Sequence, residues 1–147
     1  MRIVILNGPN LNLLGSREPE IYGTATLTEV EKMCRERAVE LGLEIEFRQT
    51  NHEGELIGWL AEAWRDAAGV ILNPAAFTHY SLALREAVAA AGVPVIEVHI
   101  SNIYAREPWR ERSVISAAAR GVIAGLGVSG YLLALEALAE LVRIKGE

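Results

Sequence analysis

Several residues in this chain are of types that move protons or hold oxyanions, and they fall in a few short stretches. Asn10 lies in Asn7-Gly8-Pro9-Asn10-Leu11-Asn12, and Arg17 and Tyr22 lie in Arg17-Glu18-Pro19-Glu20-Ile21-Tyr22-Gly23. Asn73 and His79 bound Asn73-Pro74-Ala75-Ala76-Phe77-Thr78-His79, and His99 and Ser101 sit in His99-Ile100-Ser101-Asn102. A phenol, two imidazoles, a guanidinium and amides supply a base, an acid, an electrostatic stabiliser and ligand anchors. That set suits proton abstraction beside a carbonyl. Taken singly each has a plainer role: a Tyr before Gly packs, a strand-end His is structural, and loop Asn residues satisfy turn backbones. Their joint placement favours a site.

Glu97 and His99 are two apart in a strand-like run, so their side chains point the same way. A carboxylate there orients an imidazole and stabilises its charged form, which favours His99 as a general acid. The alternative is that Glu97 merely meets solvent at a strand end. Arg106, Arg110 and Arg112 follow in a mixed-charge run. One of them would fork onto a substrate carboxylate, whereas most of such a run is ordinarily a solvated face.

The elements that must position these residues are legible as alternating periods. Ile3–Leu6, Val70–Leu72, Val93–Val98 and Val122–Ala124 are short β-branched runs bounded by Gly, Pro or Asn, which predicts strands buried on both faces. Leu43–Arg48 alternates, as an edge strand covered on one face does. Helices are predicted over Leu27–Leu41, Glu55–Asp66, Tyr80–Ala91 and Gly130–Ile144, with Thr28 and Glu31 at capping-box spacing and Gly42 and Gly92 as stops. Strand–helix alternation five times over predicts an α/β fold, a flavodoxin-like doubly wound five-stranded parallel sheet with helices on both faces. In such sheets ligands bind at the carboxyl ends of strands, which is where the polar residues above cluster. The loop of about 18 residues between the first strand and first helix is long enough to act as a lid carrying Arg17 and Tyr22.

Composition narrows the function classes. The 147 residues are 51% hydrophobic and 22% charged, with one Cys and no repeat or linker, so a single domain over 1–147 with a full core is expected. Fourteen Lys+Arg against nineteen Asp+Glu give a net charge of −5, which argues against a nucleic-acid partner and requires any bound anion to meet locally placed arginines. No signal segment is visible, and the longest uncharged span, Gly121–Leu135, is too short to cross a bilayer. The lone Cys34 fits a reducing cytoplasm. Gly125-Leu126-Gly127-Val128-Ser129-Gly130 matches a dinucleotide fingerprint, but no strand follows to carry the ribose-binding acid, so its glycines are read as helix–sheet packing. A zinc site from His52, His79 and His99 lacks any local ligand pair and is not expected.

At these same residues the chain resembles the type II 3-dehydroquinate dehydratases. The resemblance runs nearly end to end, through Ile5–Gly15, Arg17–Gly23, Gln49-Thr50-Asn51-His52-Glu53-Gly54, Asn73–His79 and Glu97–Asn102. It implies dehydration of 3-dehydroquinate to 3-dehydroshikimate through an enolate, in the shikimate pathway, with no metal and no cofactor. By the same resemblance Tyr22 is the base, Arg17 the lid cation that supports its phenolate, and His99 the acid that protonates the departing hydroxyl. Asn73, His79, the Ile100-Ser101 turn and Arg110 would hold the substrate's hydroxyls and carboxylate, and Asn10 the water or enolate oxygen beside Tyr22.

A phenol ionises near ~10 in isolation, so a cation beside it is needed for it to act as a base at neutral pH. Two positions depart from the family pattern. Glu86 stands where Asp is usual, on a helix that in the family reaches a neighbouring subunit's site, and Trp109 stands where Phe is expected. Family members assemble as trimers grouped into a dodecamer, so a homo-oligomer is implied. The rival class is a non-catalytic flavodoxin-like small-ligand-binding or signalling module. A receiver would need an acidic cluster after the first strand and an Asp ending the third, where this chain has Asn7 and Asn73. A purely structural oligomer would leave Tyr22, His79 and His99 unexplained.

Overall fold

In the computed structural model, which describes residues 1–146, five strands form one parallel sheet in the order β2-β1-β3-β4-β5. They are β1 (Arg2–Asn7), β2 (Glu44–Gln49), β3 (Gly69–Asn73), β4 (Val95–His99) and β5 (Gly121–Ala124). The helices are α1 (Pro19–Tyr22), α2 (Leu27–Leu41), α3 (Glu53–Asp66), α4 (Leu82–Ala89) and α5 (Ser129–Gly146). From β1 the chain moves one way to β2 and then returns past β1 to β3, so strand order reverses between β1 and β3. A crevice must open there at the carboxyl ends, because connections leave in opposite directions.

Two apolar layers hold the helices on. Ile3, Ile5, Ile71, Ile96 and Val98 face Val30, Cys34 and Ala38 of α2 and Ala134, Leu135 and Leu138 of α5. On the other face Val4, Leu6, Val70, Leu72 and Val95 meet Leu56, Leu60 and Ala63 of α3 and Leu84 and Val88 of α4. Odd and even positions of β1 serve opposite layers, as the period of a strand requires. The central strands β1, β3 and β4 are accordingly buried along almost their whole length.

Four details differ from the sequence expectation. β5 is the second edge of the sheet and only half-buried, with Val122 exposed, so its β-branched run does not mark burial on both faces. No α-helix joins β4 to β5; the connection is 3₁₀ turns at Ile103–Ala105 and Pro108–Arg110, followed by a segment in which Ser113 Oγ accepts the N–H groups of Ile115 and Ser116. Serine competing for backbone donors in this way suppresses a continuous helix. The capping pair of α2 is Thr26 with Glu29, not Thr28 with Glu31: Thr26 Oγ1 accepts the Glu29 N–H at 3.2 Å. The helix predicted from Tyr80 starts at Leu82, because Ser81 caps it by accepting the Leu84 N–H at 3.0 Å.

Candidate active site

Each of the long connections at the carboxyl end of the sheet contributes to one crevice of about 680 Å³, mouth included. The 8–26 connection folds inward through a 3₁₀ turn at Leu11–Leu13 and the single-turn helix α1. Asn10 and Glu18 take left-handed backbone conformations, φ 69° and 37°, where those two turns begin. Asn10, Arg17 and Tyr22 line the crevice as a result, together with Asn73, His79, His99, Ile100, Ser101 and Arg110. The polar residues singled out in the sequence thus meet, except that Glu97 and Arg112 are not among the lining residues, nor is Glu86. It sits on the exposed face of α4, outside the crevice of its own chain.

Tyr22 is gripped by guanidinium groups. Arg106 donates from Nη1 to the Tyr22 hydroxyl at 2.8 Å and to Ser101 Oγ at 3.1 Å. The Arg106 and Arg17 guanidinium carbons lie 5.1 and 5.2 Å from the centre of the Tyr22 ring. Arg17 therefore does stand beside the phenol, but the direct hydrogen bond belongs to Arg106. In the sequence Arg106 was one of three arginines in a mixed-charge run, and nothing local set it apart. Its Nε is buried with no hydrogen-bond partner among the described residues.

His99 lines the same crevice, and its Nε2 is hydrogen-bonded to Glu97 Oε2. Glu97 does not meet solvent. It is wholly buried and accepts hydrogen bonds from Thr78 Oγ1 and Ser116 Oγ, each at 2.8 Å. Burial pushes its carboxyl up, but the hydrogen bond and charge of His99, then the bonds from Thr78 and Ser116, outweigh burial and hold it below the usual carboxylate range. Glu97 is a carboxylate at neutral pH.

His79 follows the 3₁₀ turn Ala75–His79, its ring edge-on to Trp109 at 5.2 Å. Nδ1 lies 2.7 Å from the Arg112 carbonyl oxygen, which accepts and so fixes the proton on that nitrogen. Burial lowers its pKa; the Arg112 bond opposes this, and the charges of His99 and Arg110 depress it further while Glu97 raises it. A neutral His79 presents Nε2 as an acceptor for a hydroxyl. Trp109 also carries Arg110, whose guanidinium lies 4.1 Å from the Trp109 ring centre and pairs with Glu107.

Asn73 and Asn7 end adjacent strands, and a phenol from α5 joins them. Tyr131 donates to Asn7 Oδ1 at 2.7 Å and accepts from Asn73 Nδ2 at 2.9 Å, while Asn73 Oδ1 accepts the Ala75 N–H at 3.1 Å. Burial raises the Tyr131 pKa, so this tyrosine stays a neutral linker. The side chain of Asn73 is thereby anchored on two sides. Tyr131 was not among the residues expected at the site.

No group of three or more His, Cys, Asp or Glu among the described residues is placed to ligate a metal, and His52 is the N-cap of α3 outside the crevice. In the Gly125–Gly130 turn a side chain on Gly130 would meet Val98 at 3.3 Å and Ile123 at 3.5 Å, so that glycine serves helix–sheet contact. What the crevice offers is three arginines, Arg17, Arg106 and Arg110, and a His–Glu pair. Such a set binds an anion and moves protons on it.

Comparison with known proteins agrees. The Dehydroquinase class II family profile matches residues 1–139. The chain is 58% identical to the 3-dehydroquinate dehydratase of Variovorax paradoxus strain S110, covering 93% of this chain and 97% of the relative. It is 58% identical to that of Salinispora arenicola strain CNS-205, covering 95% and 97%. The type II dehydroquinase structure from Propionibacterium acnes superposes with a TM-score of 0.92 at 50% identity, covering 95% of this chain and 96% of that one.

Proposed function

The chain belongs to the class II dehydroquinase family, a family of hydro-lyases, and we propose that its crevice dehydrates 3-dehydroquinate to 3-dehydroshikimate with Tyr22 as base and His99 as acid. The observation that carries these roles is a phenol held by Arg106 and flanked by Arg17, sharing one arginine-lined crevice with a carboxylate-backed imidazole.

In this reading the Tyr22 phenolate takes a proton alpha to the ketone, and the electron pair moves onto the carbonyl oxygen as an enolate. Fixed donors near Asn10 stabilise that oxygen, directly or through a water. Collapse of the enolate expels the hydroxyl, which leaves as water with the proton from His99. Arg17 and Arg106 keep the phenolate and the developing negative charge in a cationic environment. Among the described residues the backbone N–H groups of Ile100 and Ser101 donate to no backbone group, so with Arg110 they suit a carboxylate. His79 Nε2 and the second N–H of Asn73 suit substrate hydroxyls. Every step is a proton transfer or an elimination, and none needs a metal or cofactor.

The same reading makes the chain one catalytic unit of the shikimate pathway toward chorismate and aromatic amino acids, working in the cytoplasm as a homododecamer of trimers. Glu86 on the outer face of α4 would then reach a neighbour's crevice. Exposed Leu82, Tyr104 and Leu126 support a covering partner of this kind. Sedimentation of the purified chain tests the assembly. The chemistry is tested by adding 3-dehydroquinate and following the ultraviolet absorbance of the conjugated enone. Folded protein with no rise overturns it, and a non-catalytic binding module would give that result.

A further inference from the structure

Glu97 is surrounded by hydroxyl groups to which the reaction as described assigns nothing. Thr78 Oγ1 and His99 Nε2 share Oε2, Ser116 Oγ takes Oε1, and Ser113 Oγ lies 3.4 to 3.5 Å from both oxygens. The direction of the hydroxyl protons is set by the backbone. Ser113 Oγ accepts the Ile115 and Ser116 N–H groups at 3.1 and 3.0 Å, which occupies its lone pairs. Its own proton must therefore point to Thr78 Oγ1, 3.0 Å away, or to Glu97. Thr78, accepting from Ser113, in turn donates to Glu97. The shell around the carboxyl group is thus made of donors, and a protonated Glu97 would have to place its own hydrogen among them.

We infer that Thr78, Ser113 and Ser116 are positioning residues for the elimination: their hydroxyls fix buried Glu97 in one orientation, so that the imidazole of His99 stays aimed at the leaving hydroxyl. This rests on the reading of His99 as the acid. The same segment serves the substrate side as well, since the Val114 N–H donates to the Thr78 carbonyl at 2.8 Å and the Arg112 carbonyl fixes His79. The acid's carboxylate and the imidazole facing the substrate share one backing. The titratable and charged groups facing Glu97 are His99 on its own strand and His79 on the Ala75–His79 turn, with Arg110 close to His79. The 113–116 segment brings only hydroxyls, and its outer side is held by Arg85 of α4, which donates to the Val114 carbonyl at 3.1 Å. The register neighbours Leu72 of β3 and Val122 of β5 are apolar.

The test is the pH profile of kcat for Ser116→Ala and Thr78→Val, with Ser116→Thr and Thr78→Ser as hydroxyl-keeping controls. Losing one hydrogen bond to the Glu97 carboxylate concentrates its charge on His99, so the alkaline-side fall of kcat should move upward by up to about one pH unit, with KM nearly unchanged and the profile restored in the controls. In the free protein the Glu97 carboxyl, followed by its carbon-13 shift, should titrate higher by the same amount. Equal loss of kcat at every pH with an unmoved Glu97 titration would mean ordinary packing and overturn the proposal. An inactive parent chain would instead defeat the catalytic reading, and the Glu97 titration would still decide the role of the hydroxyls. If Ser116→Ala does not fold, Thr78→Val, an isosteric change, gives the answer.

Discussion

Arg106 Nη1 lies 2.8 Å from the Tyr22 hydroxyl and donates to it, whereas Arg17 lies over the same ring without that bond. The two arginines are therefore not redundant. Arg106→Met should lower kcat by about 10- to 100-fold, the size of a lost hydrogen bond to a charged group, with an unchanged circular dichroism spectrum. Initial rates from enone absorbance check this.

Removing the phenol proposed as the base should cost more. Tyr22→Phe is expected to lose about 10²–10⁴ of kcat while melting near the parent temperature, since the hydroxyl anchors no core element. Arg17→Lys should also lose rate, because a point charge cannot reproduce a planar fork beside the ring. Near-parent turnover in either variant with folding intact would remove Tyr22 and Arg17 from the mechanism.

The Glu97 carboxyl is held below its ordinary range in the folded chain, so the sign of its linkage to stability is fixed. Its contribution is present above the unfolded carboxylate pKa and is lost as pH falls through the lower, folded value. Thermal melts taken from neutral pH downward should therefore drop on the acid side, and Glu97→Gln should flatten that slope while lowering stability at pH 7. A parallel slope in the two proteins would contradict this.

Tyr131→Phe removes one hydroxyl and strands two buried amides. The cost should be about 2 kcal/mol, a fall of roughly 4–8 °C in Tm at this chain length. KM for substrate should rise as well, because Asn73 loses the partner that orients its side chain. Calorimetry and steady-state kinetics on one variant separate the two effects.

Gly8 closes β1 against the start of the next crevice wall. A Cβ there would stand 2.7 Å from the Pro74 carbonyl oxygen and 2.9 Å from its carbon, both backbone atoms that have no rotamer to yield. Gly8→Ala should destabilise the chain by about 1–3 kcal/mol and widen the crevice between Asn10 and Asn73, seen as lower Tm together with higher KM.

Much of this architecture was legible in the sequence because strand and helix periods state burial directly. The alternation in Leu43–Arg48 marked an edge, and Gly42 marked the end of α2, whose residue is left-handed at φ 70°. β5 misled because a β-branched run says that a strand packs, not that both of its faces are covered. Thr28 misled because two residues of the same kind lie two apart, and only the path of the entering chain selects Thr26.

The site's polar roster was readable from residue type and strand-end position. Its partnerships were not. Arg106 rather than Arg17 reaches the hydroxyl, Ser113 and Ser116 turn inward to a carboxylate, and Tyr131 comes from a helix whose apolar face looks like any other. Such pairings depend on side-chain direction across long sequence separations, which no local period encodes.

The phenol joining Asn7 to Asn73 belongs to α5, separated from those residues by 124 and 58 positions. In the order of synthesis, Tyr22, His79 and His99 leave the ribosome well before it. Until α5 packs onto the sheet, Asn7 and Asn73 have no shared partner, and the wall carrying Asn73 is unbraced. A growing or prematurely stopped chain that already holds Tyr22 and His99 thus lacks the brace between Asn7 and Asn73, which arrives in a single late step, when the final helix docks.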